Sequence, residues 1–292
     1  MKVAKFSLRL TLFVFLASAT FPLAAQNNPA WLTPFPAFRI AGNLYYVGSQ
    51  DLGSYLIATP RGLILINSSF EASVPLIKKS VESLGFRFSD INILLISHAH
   101  DDHCSGSEQI IRLTGAKYYV MAGDVSVVES GGRTDFQYGA QKAHHYPPAH
   151  VDRVLHDGST VSLGGTVLTA HLTPGHTRGT TTWTIDEAEN GHVLHVVIVG
   201  SPNVNPGYKL VGNKTYPQIA ADYERGFAAL HKLPCDIFLG AHGSYFDLVE
   251  KYPRWKAGDN SAFIDPAGYN AYIADREQAF EKELARQSAA KK

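Results

Sequence analysis

Apolar positions along most of this chain fall into short runs punctuated by turn residues. After "PFPAF", the segments "NLYYVGSQ", "GSYLIATPRG" and "GLILINSS" are bounded by Gly, Pro, Asn or Ser, which predicts adjacent β-strands. The period then changes. In "SVPLIKKSVESLG", Val74, Ile77, Val81 and Leu84 share one helical face, and Gly85 supplies a stop. "INILLIS" is almost continuously apolar, the pattern of a strand covered on both faces. A second helix is predicted over "HCSGSEQIIRLTG", and "AKYYVMA", "VDRVLHDG", "TVLTAHLTP", "GTTTWTI" and "HVLHVVIVG" read as further strands. "YPQIAADYERGFAALHKL" reads as a helix, "CDIFLGAH" as a buried strand and "YNAYIADREQAFEKELARQ" as a long amphipathic helix. Strand clusters, helices, then strand clusters again are all buried if two sheets pack together with helices outside. "ESGGRTDFQYGAQKAHHYPPAHVDR" fits no regular element and is long for a loop in a compact domain. Its Phe136, Tyr138 and Tyr146 either line a ligand cleft or pack as ordinary loop aromatics.

Composition narrows this picture. The chain has 292 residues, 45% hydrophobic and 18% charged, enough to bury a sizeable core. No shift in composition marks a domain boundary. Acidic and basic residues balance at 26 each, with no basic run suited to nucleic acid. At the N-terminus, Lys2, Lys5 and Arg9 precede an apolar stretch from about Leu10 to Ala17, and small residues lead to Ala25. That is the order of a secretory signal peptide, and the apolar stretch is short of the roughly 20 residues that span a bilayer. Residues 1–25 are therefore expected to be a cleaved leader and 26–292 a single exported, periplasmic domain, without membrane insertion once the leader is gone. Losing the leader's three basic residues leaves 23 basic against 26 acidic, a net charge of −3. Two cysteines, Cys104 and Cys235, could form a disulfide in such a compartment but need not, and free thiols are expected.

Histidine, with 13 copies, changes the picture most. "HAHDDH", His98 to His103, follows the apolar "INILLIS". A core does not tolerate so many polar groups unpaired, and a metal ion accounts for them. Residues two apart in extended backbone point the same way, so His98 and His100 can grip one ion. Asp102 and His103 sit where the chain turns into a helix, and the helix dipole favours the carboxylate. His103 points elsewhere and could serve a second ion. His176 in "HLTPGHTRG" and His242 in "CDIFLGAHG" also lie where a buried strand meets a loop. Five histidines and one aspartate make three ligands for each of two ions. Imidazole and carboxylate without thiolate suit zinc, whose catalytic sites keep one position open. His144, His145, His150, His156, His171, His192, His195 and His231 lack partner spacing and are expected to be ordinary residues; Asp101 is expected to face away from the ligands.

"HAHDDH", "TPGHTRG" and "GAH", in this order and separation, resemble the metallo-β-lactamase superfamily over essentially the whole mature chain. "FRIAGNLYYVG", "LLISHAHDDH", "VLHDG", "LTAHLTPGHTRG" and above all "GSPNVNPGYKLVGN" resemble its subclass B3. The resemblance implies an α/β four-layer αββα sandwich of two mixed sheets with helices on the outer faces. It implies two zinc ions per chain, the first held by His98, His100 and His176, the second by Asp102, His103 and His242. It also implies that Ser201, Asn205 and Tyr208 line the substrate pocket, although "NPGY" is also a strong turn by itself. Some B3 members carry a disulfide from the position of Cys235 to one near the C-terminal helix; "DPAGYNAY" offers no cysteine there, so Cys235 is expected to be a buried thiol. Cys104 is not expected to be a ligand.

The activity so implied is hydrolysis of the β-lactam amide in penicillins, cephalosporins and carbapenems, with antibiotic resistance as its consequence. Asp102 would orient the hydroxide nucleophile, and Tyr208 or Asn205 would hydrogen-bond the substrate carboxylate or the developing oxyanion. A monomer acting on a small molecule is expected. Two alternatives stand beside it. One is another exported hydrolase of this fold, cleaving a lactone or thioester, which an aspartate in place of Ser201 would favour. The other is a non-catalytic zinc-binding protein, disfavoured because the histidines are spread over strand ends rather than gathered in one tract.

Overall fold

The computed structural model describes residues 28–189 and 191–290; the expected leader, 1–25, lies outside them. Among the described residues, seven strands form one sheet in sequence order: β1 Phe38–Ala41, β2 Leu44–Tyr46, β3 Tyr55–Thr59, β4 Gly62–Ile66, β5 Ile91–Leu95, β6 Lys117–Met121 and β7 Arg153–Leu155. β1 to β4 are antiparallel, and β4 to β7 pair in parallel. A second sheet has the order β12-β11-β10-β9-β8, from β8 Ser159–Leu163, β9 Thr166–Leu172, β10 Thr181–Glu189, β11 His192–Val199 and β12 Ile237–Gly240. It is antiparallel except for the β11–β12 pair. Both sheets are thus mixed. The helices are α1 Val74–Ser83, α2 Asp101–Cys104, α3 Ser107–Thr114, α4 Val125–Glu129, α5 Ile219–Leu230, α6 Leu248–Lys256 and α7 Pro266–Ala289.

Alternation along the central strands explains the layering. Ile57, Ile64, Ile66, Ile93 and Leu95 join the core between the sheets. Their neighbours Leu56, Leu63, Leu65 and Leu94 join a second core with Val74, Ile77 and Val81 of α1 and Ile110 of α3. Successive side chains of a strand point to opposite faces, so burial on both sides demands the unbroken apolar run seen in "INILL". On the far side, Tyr223 and Phe227 of α5 and Phe280 of α7 stack together, and Tyr269 of α7 meets Phe238 of β12 edge-on. The order of layers is helix, sheet, sheet, helix, as expected from the sequence.

Two short helices escaped the periodicity. α4 has only five residues, and α6 carries Pro253 inside it, which interrupts the helical signature. The segment between α4 and β7 is irregular, as expected, apart from one turn of 3-10 helix at Lys142–His144. No helix among the described residues is long and apolar enough to cross a membrane.

Candidate metal centre and active site

Every strand end that meets this site carries a histidine or the residue that places one. β5 runs into Ser97, whose N–H donates to Asn67 Oδ1 at 2.8 Å at the end of β4. Asn67 has φ 65, a left-handed conformation that asparagine tolerates better than most residues, and its Nδ2 donates to Gly53 O at 2.9 Å. The chain then delivers His98 and His100, and α2 begins at Asp101. His176 follows the turn after β9. There Gly175 has φ 131, and a Cβ would lie 2.5 Å from the Tyr223 ring, so only glycine lets this turn press against α5. His242 follows β12, beside Leu52, with which it forms an isolated bridge.

One carboxylate stitches two of these loops together. Asp124, buried after β6, accepts from Ala99 N at 2.9 Å, Thr177 Oγ1 at 2.8 Å and Gly179 N at 2.8 Å. Ala99 separates His98 from His100, and Thr177 follows His176. Burial pushes the Asp124 carboxyl up to about 6 against these three donors.

The structure brings together all six residues singled out as ligands. The donor atoms of His98, His100 and His176 lie within 4.8 Å of one another, as do those of His98, Asp102 and His103. His242 completes the second group. His103 Nε2 lies 3.2 Å from His242 Nε2 and 3.2 Å from Asp102 Oδ2, and His242 Nε2 lies 3.6 Å from Asp102 Oδ2. Ligands arranged tetrahedrally at bonds of about 2.0–2.1 Å sit about 3.3 Å apart, so this triangle has the edges a zinc ion needs. The rings of His98 and His103 approach to 4.3 Å, and those of His98 and His176 to 4.6 Å.

Electrostatics agree with a cation. Burial, reinforced by repulsion from neighbouring imidazoles, holds His98 and His176 well below the usual histidine range. Burial also takes His100 down to about 4, against the attraction of Asp102. These imidazoles are neutral at pH 7 with lone pairs available, the state a metal requires. Burial pushes the Asp102 carboxyl up, but attraction and a hydrogen bond from His103, then His242 and His100, outweigh it and hold it below the ordinary range. The residues present fit a pair of divalent ions, with His103 turning its Nε2 towards Asp102 and His242.

Outer contacts fix which ring nitrogens face inward. His176 Nδ1 lies 2.8 Å from Asn203 O, which can only accept, so Nδ1 carries the proton and Nε2 the lone pair. His242 Nδ1 faces Asp51 Oδ2 at 3.1 Å with the same consequence. The Cys104 thiol donates to His100 O at 3.1 Å, and both cysteines are free. Cys235 is half-buried rather than fully buried, packed against the margin of the core between the sheets; burial still pushes its thiol up to about 12.

A cleft of ≈ 360 Å³ opens over these groups, lined by Asn28, Trp31, Asp51, His100, Asp101, Asp102, Tyr138, His144, His176, Asn203, Asn205, His242, Ser244 and Tyr245. Of the three expected pocket residues, Asn205 lines it and donates from Nδ2 to Tyr138 Oη at 3.0 Å. Ser201 and Tyr208 are buried behind the lining. Ser201 Oγ lies 3.2 Å from Tyr245 Oη, and Tyr208 donates to His176 O at 3.0 Å. Of the loop aromatics, Tyr138 lines the cleft, Phe136 packs on Tyr208 and Tyr216, and Tyr146 is buried with its hydroxyl on Ala99 O. His144 was read as ordinary, yet it lines the cleft with Nδ1 3.1 Å from Asp101. Trp31, Asp51, Asn203 and Tyr245 were missed as well. Tyr245 and Asn203 carried a local signal, the first three residues after His242 and the second inside "GSPNVNPGYKLVGN". A larger cleft of ≈ 630 Å³ beside Gly42 and β10 shares no lining residue with this one and holds no imidazole.

Comparison with known proteins gives the same picture. Residues 54–189 match the family model of the metallo-beta-lactamase superfamily. The structure is similar to that of the native FEZ-1 metallo-beta-lactamase from Legionella gormanii, with 57% identity, a TM-score of 0.87, and coverage of 88% of this chain and 98% of that one. It is also similar to the class B3 di-zinc metallo-beta-lactamase LRA-12 from an Alaskan soil metagenome, with 35% identity, a TM-score of 0.85, and coverage of 88% and 97%. A curated relative, a probable metallo-hydrolase of Burkholderia pseudomallei (strain 1710b), is 30% identical over 112 residues, 38% of this chain and only 36% of its own length. With both sheets, the five histidines and Asp102 all accounted for, this chain belongs to the metallo-β-lactamase superfamily, among its subclass B3 members.

Proposed function

We propose that this protein is a zinc-dependent hydrolase that opens the β-lactam ring of penicillins, cephalosporins and carbapenems. The observation that carries the reading is the convergence of six ligand side chains under one open cleft, on a scaffold shared with β-lactamases over nearly its whole length. His98, His100 and His176 would hold one zinc ion, and Asp102, His103 and His242 the other. A bound zinc pair supplies a water nucleophile at neutral pH and a Lewis acid for the carbonyl.

The chain's own groups do the rest. Hydrolysis forms a carbon–oxygen bond from water, breaks the lactam C–N bond and leaves a proton on the nitrogen. Asp102, kept ionised among three imidazoles, accepts a hydrogen bond from the attacking water and so orients it. Among the described residues the cleft lining contains no lysine or arginine. The substrate carboxylate is therefore met by neutral donors, with the Asn205 amide placed by Tyr138 to provide one. Ser201 and Tyr208 act from behind the lining, Tyr208 by fixing the His176 carbonyl. Tyr138 and His144 form one wall, and Trp31 stands opposite beside His242. We further infer that residues 1–25 are an export leader, that 26–292 act as one monomeric domain, and that the site of action is the periplasm.

The test is nitrocefin hydrolysis by purified protein. Turnover should vanish on treatment with EDTA and return with zinc, and His176→Ala should lose zinc and nearly all activity. Zinc-loaded protein that leaves nitrocefin intact, or turnover indifferent to EDTA, overturns the reading.

A further inference from the structure

Outside the six ligands, one buried carboxylate is aimed at the site from a distant part of the chain. Asp51 lies in the loop between β2 and β3, 191 residues before His242. Its Oδ2 faces His242 Nδ1 at 3.1 Å and accepts from Trp31 Nε1 at 2.9 Å; its Oδ1 accepts from Ser244 N at 2.8 Å. The backbone is tied down as well. Gly243 N donates to Asp51 O at 2.5 Å, and Gly53 N donates to Ala241 O at 2.8 Å. Trp31 belongs to the 3-10 turn Pro29–Trp31 near the start of the described chain, and its ring lies 5.8 Å from that of His242.

From this geometry we propose that Trp31 and Asp51 form a positioning relay for the second metal site, setting its affinity independently of the first. The physical reason is the tautomer. Both hydrogen bonds to Oδ2 come from donors, so the Asp51 carboxylate demands a proton on His242 Nδ1. His242 must then present an unprotonated Nε2, the atom that lies 3.2 Å from His103 Nε2 and 3.6 Å from Asp102 Oδ2. A carboxylate behind a ligating imidazole also raises its basicity, and loss of such a partner commonly weakens metal binding about 10–100-fold. Trp31 removes the freedom of Asp51 to swing away, because Oδ1 is anchored on Ser244 N and the indole N–H holds the other oxygen. His98, His100 and His176 make no contact with Asp51 or Trp31 among the described hydrogen bonds. The relay should therefore act on one ion only.

The inference rests on the two-zinc reading above, and the experiment separates the two. Zinc is withdrawn from the loaded enzyme by a graded series of competing chelators, and the two dissociation constants are fitted for wild type, Asp51→Asn and Trp31→Phe. In Asp51→Asn one of the two zinc ions, that of the second site, should dissociate about 10–100-fold more readily while the other is unchanged. Trp31→Phe, which keeps the ring and deletes the N–H, should shift the same constant in the same direction by less. The imidazole ¹⁵N shifts of His242, read once the zinc has been withdrawn, provide a readout that a merely structural role would leave alone: Nδ1–H in wild type, a mixture of tautomers in Asp51→Asn. Wild-type constants together with wild-type shifts in a folded Asp51→Asn overturn the relay and leave the two-zinc reading standing. A wild type that binds fewer than two zinc ions overturns that reading and the relay with it.

Discussion

At the residue scale, a side chain's role here follows from its partners more than from its type. His242 and His144 are both histidines facing a carboxylate, yet His242 Nε2 points at Asp102 and His103 while His144 stands on the cleft wall. Glu187 shows the opposite case, an ionisable group with too few partners. It is buried on β10, its Oε2 accepts from Asn43 N at 3.1 Å and its Oε1 has no partner. Burial pushes its carboxyl up to about 7, helped by the nearby Glu189 and opposed by the Asn43 N–H. The folded state therefore holds this proton more tightly than the unfolded state. The stabilisation is fully present below about 4.5 and is lost as pH rises through about 7. Glu187→Gln cannot ionise. Its melting temperature should fall less between pH 5 and pH 8 than that of wild type, and parallel curves would contradict the assignment.

At the element scale, strand ends rather than strands make the site, and the ties between them matter most. β5, β9 and β12 each deliver residues to the site, and Asp124 ties the loops after β5 and β9 together. Asp124→Ala would leave the Ala99 and Gly179 N–H groups without acceptors in a buried place, and the Thr177 hydroxyl with Thr180 Oγ1 alone. Each orphaned donor costs about 1–3 kcal/mol, so a loss of at least about 2 kcal/mol is expected in the unfolding free energy read from chemical denaturation. Zinc held by His98, His100 and His176 should weaken in parallel, because the loops bearing them lose their common anchor. α7 acts in a similar way on the opposite side, with Gln287 accepting from Leu210 N at 2.7 Å and donating to Tyr208 O at 2.7 Å. That long helix was legible from its amphipathic period. Its grip on the loop carrying Tyr208 was not, because the contact joins residues 79 positions apart.

At the scale of the whole molecule, the two sheets bury four imidazoles, His98, His100, His103 and His176, around the Asp102 carboxylate. Burial, reinforced by repulsion from neighbouring imidazoles, keeps His98 and His176 unprotonated. A metal that binds only the folded state stabilises it by mass action, by about 4 kcal/mol when free zinc exceeds the dissociation constant a thousandfold. Chelation should therefore lower the melting temperature of the whole chain, with full reversal on adding zinc. A melting temperature indifferent to EDTA would show that the site contributes nothing to holding the sheets together.

The sequence by itself determined the layers and picked out the six side chains that the fold brings together. Period-2 and continuous apolar runs can be buried only in stacked sheets, and "HAHDDH" concentrates imidazole and carboxylate too densely for a core or a plain surface. It also located His176 and His242, because each ends an apolar strand. Tertiary structure alone decided which groups stand behind the ligands and which line the cleft. Asp51, Trp31 and Asp124 carry no local pattern, and Ser201 and Tyr208 sit behind the surface that their motif suggested they would form. Hydrophobic periodicity reports how each segment faces the core. The direction of a hydrogen bond between segments far apart in sequence depends on how the sheets pack, which no single segment encodes.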